Sequence, residues 1–184
     1  DTAHIGNFRT FVFNDILRRV FEYNGYKVKQ VMNITDVDDK TIKRSSDEGV
    51  KLAELTKKYE DIFIEELDSL NIKRPSFMPR ARESIKEMVE MINTLLEKGF
   101  AYKASDGVYF KIDKFENYSQ LANLKLDREI KERISNDNYD KDNPQDFALW
   151  KFHTDESEEA SWDAPFGKGR PGWHIECSAM SKMI

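Results

Sequence analysis

Lys27-Val28-Lys29-Gln30-Val31-Met32-Asn33-Ile34-Thr35-Asp36 is the stretch on which the fold class turns. Residues 27–32 carry Val28 and Val31 in a short β-rich run, which predicts a buried strand. Asn33 to Asp36 turns the chain, and 37–45 predicts a short helix capped by Thr35 or Asp36. Upstream, Phe8, Phe11, Val12, Ile16, Leu17, Val20 and Phe21 recur at three- and four-residue steps. That spacing predicts a helix over 6–24 with one apolar face, and Gly25 is its stop. Downstream, Leu52, Leu55, Tyr59, Ile62, Phe63, Leu67 and Leu70 predict a helix over 51–70, broken at Arg74-Pro75. Phe77 and Met78 suggest a second short strand, and 81–98 a further helix ending at Gly99. Strands joined by helical crossovers predict a parallel α/β sheet.

The texture changes after Gly99. Segments 101–104 and 108–112 flank Ser105-Asp106-Gly107, and Asp-Gly between alternating runs is a hairpin signal. Residues 113–145 are rich in Asn, Asp and Lys without a dominant period. A strand is expected over 146–152, an acidic loop over 153–160, a Gly/Pro-rich loop over 165–172 and a helix over 173–184. The hairpin-rich middle looks like an insertion between two parts of an α/β sheet. No strand precedes the first helix, which fits a missing N-terminal strand.

The 184 residues suit one domain, with or without an insertion. No apolar run reaches the ~18 residues of a membrane-spanning helix, so no membrane partner is expected. The single cysteine, Cys177, excludes an internal disulfide and fits a reducing, cytoplasmic setting. Net charge is −5, which argues against whole-surface binding of nucleic acid and leaves a local basic site open.

Four motifs stand out. His4-Ile5-Gly6-Asn7 opens the first helix, with His4 and Asn7 one turn apart. A helix N-terminus offers N–H groups and partial positive charge to a phosphate, and Gly6 clears space for it. Taken alone, an ordinary helix start is the commoner meaning. Asp36-Val37-Asp38-Asp39-Lys40 lacks the acidic residue and glycine a calcium loop needs, and reads better as an acidic first helical turn. Gly167-Lys168-Gly169-Arg170-Pro171-Gly172 matches a dinucleotide fingerprint in form only, because Pro171 interrupts it. Gly172-Trp173-His174-Ile175-Glu176-Cys177 gathers an indole, an imidazole, a carboxylate and a thiol. A complete zinc site needs three or four ligands, and this stretch does not supply them.

In order, His4-Ile5-Gly6-Asn7, Asn33-Ile34-Thr35-Asp36-Val37-Asp38-Asp39-Lys40 and Gly169-Arg170-Pro171-Gly172-Trp173-His174-Ile175-Glu176-Cys177-Ser178-Ala179-Met180 resemble the cysteinyl-tRNA synthetase family of class I aminoacyl-tRNA synthetases. Asn143-Pro144-Gln145-Asp146-Phe147-Ala148-Leu149-Trp150-Lys151 adds to the resemblance. It implies a partial Rossmann-type parallel sheet: its first half over 1–99, a connective-peptide insertion over 100–165 and the start of the second half over 166–184. It implies that cysteine and ATP, with magnesium, give cysteinyl-adenylate, and that the cysteinyl group passes to the 3′ end of tRNA(Cys).

By the same resemblance, His4, Gly6 and Asn7 bind ATP, with His4 and Asn7 catalytic. Asn7 stands where the family signature has a second histidine. Thr35, Trp173 and His174 bind cysteine. Cys177 is a zinc ligand, and the remaining ligands are expected outside this chain. Thiolate is a far better zinc ligand than a serine hydroxyl, so such a site would select cysteine. The family's first strand, second ATP loop and anticodon-binding region have no counterpart in these residues. The isolated piece is therefore expected to be inactive. Two alternatives stay open: a related ligase joining cysteine to an amino sugar, and a noncatalytic synthetase-like module.

Overall fold

In a computed structural model, residues 1–116, 118, 146–153 and 158–184 are described. They form two compact units, Asp1–Glu83 and Ser84–Ile184.

The first unit is helical. Helix α1 spans Ile5–Tyr23, α2 Asp39–Glu48 and α3 Leu52–Ser69, followed by a 3₁₀ turn at Ala81–Glu83. Its core sets Phe8 and Phe11 of α1 against Phe63 and Leu67 of α3 and against Ile72. The rings of Phe11 and Phe63 meet edge to face at 5.0 Å. Beside them, the Asp15 carboxylate accepts from Arg19 Nε at 2.6 Å and from the Lys73 N–H at 3.0 Å.

The single apolar face expected for α1 is in fact two faces. Phe8 and Phe11 point into the core with Asp15 and Arg18, while Phe13, Ile16 and Val20 lie on the opposite side and are exposed. The apolar positions are too many for one stripe at 3.6 residues per turn.

The strand expected over 27–32 is also not a strand. The chain there pairs in parallel with 77–80 through isolated bridges, Val31 with Phe77 and Ile34 with Arg80. Met32 donates to Phe77 O, Ile34 to Pro79 O, Phe77 to Gln30 O and Ala81 to Ile34 O, at 2.9–3.2 Å. The absent rung would need a proton on Pro79 N, which proline lacks. Helix α2 starts later than expected. Its cap is Asp38, not Thr35 or Asp36: Asp38 Oδ1 accepts from Thr41 N at 2.7 Å, and Thr41 Oγ1 accepts from Asp38 N at 2.9 Å. The Asp36 carboxylate is occupied elsewhere, by the Arg82 N–H.

The second unit is a sheet with helices packed on it. Helix α4 spans Ile85–Glu97, β1 Ala101–Lys103, β2 Gly107–Phe110, β3 Phe147–Phe152, β4 Gly169–Pro171 and α5 Trp173–Lys182. The sheet order is β1-β2-β3-β4 with every pair antiparallel. The four-stranded sheet of the described residues is thus antiparallel, and the parallel pairing is confined to the bridges in the first unit. Gly99 closes α4 in the left-handed region at φ 74°, as its position predicted. The hairpin at Ser105-Asp106-Gly107 forms in register, Ala101 opposite Phe110. Trp150 and Tyr109 are fully buried in the sheet. Asp146, 1% exposed, takes the Tyr102 hydroxyl at 2.9 Å and the Ile112 N–H at 3.0 Å.

The segment expected as a loop over 165–172 contains β4. Its glycines are there for close approach: a Cβ at Gly169 would overlap the carbonyl oxygen of Lys151, and one at Gly172 that of Ala148. A pre-helical loop does not account for these two glycines, because their role is strand contact across the sheet. Residues 117 and 119–145, and 154–157 of the acidic loop, lie outside the described residues.

Candidate active-site elements

His4 caps α1 with its own ring. Nδ1 accepts from the Gly6 N–H at 3.0 Å, and Asn7 Oδ1 accepts from the His4 N–H at 3.1 Å. The N–H groups of Asn7 and Phe8 go to His4 O at 2.9 and 3.3 Å. The helix start is therefore not the open row of donors the sequence suggested, since most first-turn N–H groups have partners. Two side-chain donors remain. With Nδ1 accepting, neutral His4 carries its proton on Nε2, and Asn7 keeps its Nδ2 protons. Both residues are exposed. Gly6 has a second role: a Cβ there would lie 2.8 Å from His4 Cε1, in the space the capping ring fills.

Thr35 lies elsewhere in the same unit, on the wall of a cavity of about 340 Å³ that it shares with Asp36, Thr41, Arg44, Tyr59 and Glu60. His4, Gly6 and Asn7 do not line it. Arg44 Nε meets Glu48 at 2.6 Å, and its other end meets the Tyr59 hydroxyl at 2.5 Å. Arg80 grips the Glu60 carboxylate at 2.9 and 2.5 Å, which drives the guanidinium pKa further up. Burial pushes the Asp36 carboxyl above the usual carboxylate range, against the opposing hydrogen bond from Arg82 N–H. Asn33, Asp36, Arg44 and Glu60 were not singled out from sequence as site residues. Asp36 was visible only as a candidate helix cap and as part of an acidic first helical turn.

In the second unit, α5 carries Trp173, His174 and Cys177. Trp173 (65% exposed) and Cys177 are one turn apart on an exposed face. The His174 ring lies 4.5 Å from that of Phe147 and 5.6 Å from that of Trp173. It lines a pocket of about 390 Å³ walled by Phe110, Phe115, Tyr118 and Phe147.

A family model for the class I (C) tRNA synthetase catalytic domain matches residues 1–184. The chain belongs to that family. Cysteine–tRNA ligase of Brachyspira hyodysenteriae is 52% identical over 97% of the chain, which covers 38% of that protein. The Chlamydia pneumoniae cysteine–tRNA ligase is 51% identical over 98% of the chain and 39% of that protein. That of Methanococcus maripaludis is 47% identical over 98% of the chain and 38% of that protein. The chain thus spans about two fifths of the length of these relatives.

The resemblance implied zinc at Cys177. Among the described residues, no group of three or more His, Cys, Asp or Glu side chains is arranged to hold a metal. One thiolate does not make a zinc site. Among the same residues, no helix is long and apolar enough to cross a membrane.

Proposed function

We propose that the chain is the part of a cysteine–tRNA ligase that receives ATP phosphates at the start of α1 and cysteine at the Thr35 cavity. The observation that carries this reading is the His4 cap, within a chain of this family. The cap spends Nδ1 on the Gly6 N–H and so leaves Nε2–H as a donor of defined direction. In adenylate formation the cysteine carboxylate attacks the α-phosphorus of ATP, and the bond to the bridging oxygen of pyrophosphate breaks. Negative charge builds on the phosphoryl oxygens. His4 Nε2–H and Asn7 Nδ2–H would stabilise that charge without reorganising, because the cap already holds both side chains. The cysteinyl group then moves to the terminal ribose of tRNA(Cys).

By the family resemblance Trp173 and His174 would also bind cysteine, and Cys177 is the one zinc ligand these residues would contribute. The parallel pairing of 30–34 with 77–81 supports a Rossmann-type sheet for 1–99. By the resemblance the connective peptide would run over 100–165 and the second half open at 166, although β4 at Gly169–Pro171 still belongs to the antiparallel sheet.

The test is cysteine-dependent ATP–pyrophosphate exchange by the full-length protein. His4→Ala is expected to lower kcat by ~10²-fold or more, as loss of a charge-stabilising donor does. Cys177→Ala is expected to lower bound zinc and exchange together. Unchanged exchange in both variants would overturn the assignment. The 184 residues alone are expected to show no exchange.

A further inference from the structure

Thr35 sits between residues committed to one neighbouring segment. Ile34 donates its N–H to Pro79 O at 2.9 Å and accepts the Ala81 N–H at 3.0 Å. Asp36, 6% exposed, accepts the Arg82 N–H on Oδ1 at 3.0 Å. The backbone on both sides of Thr35 is thereby tied to 79–82. That segment is held in turn by the two-point contact of Arg80 with Glu60. Asn33 acts on the threonine itself: its Nδ2 donates to Thr35 Oγ1 at 3.2 Å.

A hydroxyl has one proton and two acceptor lone pairs. Asn33 takes one acceptor position and so orients the hydroxyl, which leaves Thr35 its proton and one lone pair to offer a ligand. The hydroxyl stands on the wall of the 340 Å³ cavity, and Asn33 and Asp36 line the same cavity. Asp36 spends an oxygen on a backbone N–H, a contact that fixes where the loop lies.

We infer that Asn33 and Asp36 are positioning residues that present the Thr35 hydroxyl to the cavity as a hydrogen-bond donor toward an acceptor atom of the amino-acid substrate. Asn33 sets the direction of the proton and Asp36 sets the place of the loop. The inference rests on the reading that Thr35 lines the cysteine pocket.

The experiment is steady-state exchange by the full-length protein, with separate KM values for cysteine and ATP. Asn33→Ala and Asp36→Ala are each expected to raise KM for cysteine by about five- to tenfold, the worth of one hydrogen bond, and to leave KM for ATP unchanged. Asp36→Asn keeps an oxygen for the Arg82 N–H and is expected to restore the wild-type KM. In a Thr35→Ala background, neither alanine substitution is expected to add to the defect. Full additivity, or an equal rise in both KM values, would overturn the inference while leaving the pocket reading intact. A Thr35→Ala enzyme with normal KM for cysteine would instead remove the pocket reading, and the inference with it. Should Asp36→Ala not fold, Asn33→Ala and Asp36→Asn carry the same test, since neither removes a backbone anchor.

Discussion

Helices α1 and α5 both begin at a motif that the family resemblance marks for chemistry, yet they are started by different forces. At α1 the start is local. The His4 ring accepts from the Gly6 N–H, Asn7 Oδ1 accepts from the His4 N–H, and Gly6 makes room for the ring. At α5 the N-cap is Gly172, and no side chain caps the helix. Gly172 instead donates its N–H to Leu149 O at 2.8 Å, with Ala148 O pressed where a Cβ would be. One start is built by its own few residues, and the other is set by a strand distant in sequence. A local device fails alone, whereas a start fixed by the sheet takes the sheet with it.

Gly172→Ala is the hardest blow to that contrast. Its φ of −78° suits alanine, so the cost is purely the collision with Ala148 O. Backbone cannot swing aside, and the change is expected to destabilise the second unit by more than ~3 kcal/mol. Denaturant unfolding measures it, and a near-neutral result would mean that α5 is not set by the sheet.

Asp15 tests whether α1 also has a long-range anchor. Burial opposes its charge, but Arg19 and the Lys73 N–H outweigh that and hold its carboxyl below the usual carboxylate range. A folded pKa below the unfolded one gives stability that is present above about pH 4 and lost as pH falls through the folded value. Asp15→Ala is expected to cost ~1.5–3 kcal/mol at neutral pH, because it strands a backbone N–H and a guanidinium. That difference from wild type should shrink in acid. Asp36 has the opposite sign: its raised pKa favours the neutral form, so it contributes a penalty above its folded pKa that vanishes in acid. A pH–stability profile of Asp15→Ala parallel to wild type would refute the anchor.

Gly6→Ala is expected to be the mildest. The added Cβ meets the end of a side chain that can rotate, so the loss is that of a helix cap, ~1 kcal/mol. His4→Ala should cost about the same, and the double mutant little more. A thermal melt checks both, and additive losses would mean that Gly6 is not there for the cap.

The same division runs through what could be read in advance. Helices α1, α3 and α4 and the Asp106-Gly107 hairpin were legible, because periodicity and turn chemistry act over a few residues. Misreadings occurred where a distant group intervened. Pro79 removes a rung from the pairing of 30–34, which leaves bridges where a strand was expected. Arg82 claims Asp36, so the α2 cap moves to Asp38. Lys151 and Ala148 explain glycines that resembled a loop. Of the candidate site, spacing marked only the His4–Asn7 helix start, and the roles proposed for His4, Gly6, Asn7, Thr35, Trp173, His174 and Cys177 rest on the family resemblance. Asn33 and Asp36 became visible only once the segment 79–82 stood beside them.

By itself, then, the sequence determined the family, the helices and the chemistry-bearing motifs, since these depend on residue identity and short spacing. The tertiary structure decided which face of α1 is buried, which acid caps α2 and which atoms Thr35 has left to offer. The first two are settled by competition for space or for a hydrogen bond with groups tens of residues away, and the third by Asn33, two residues from Thr35.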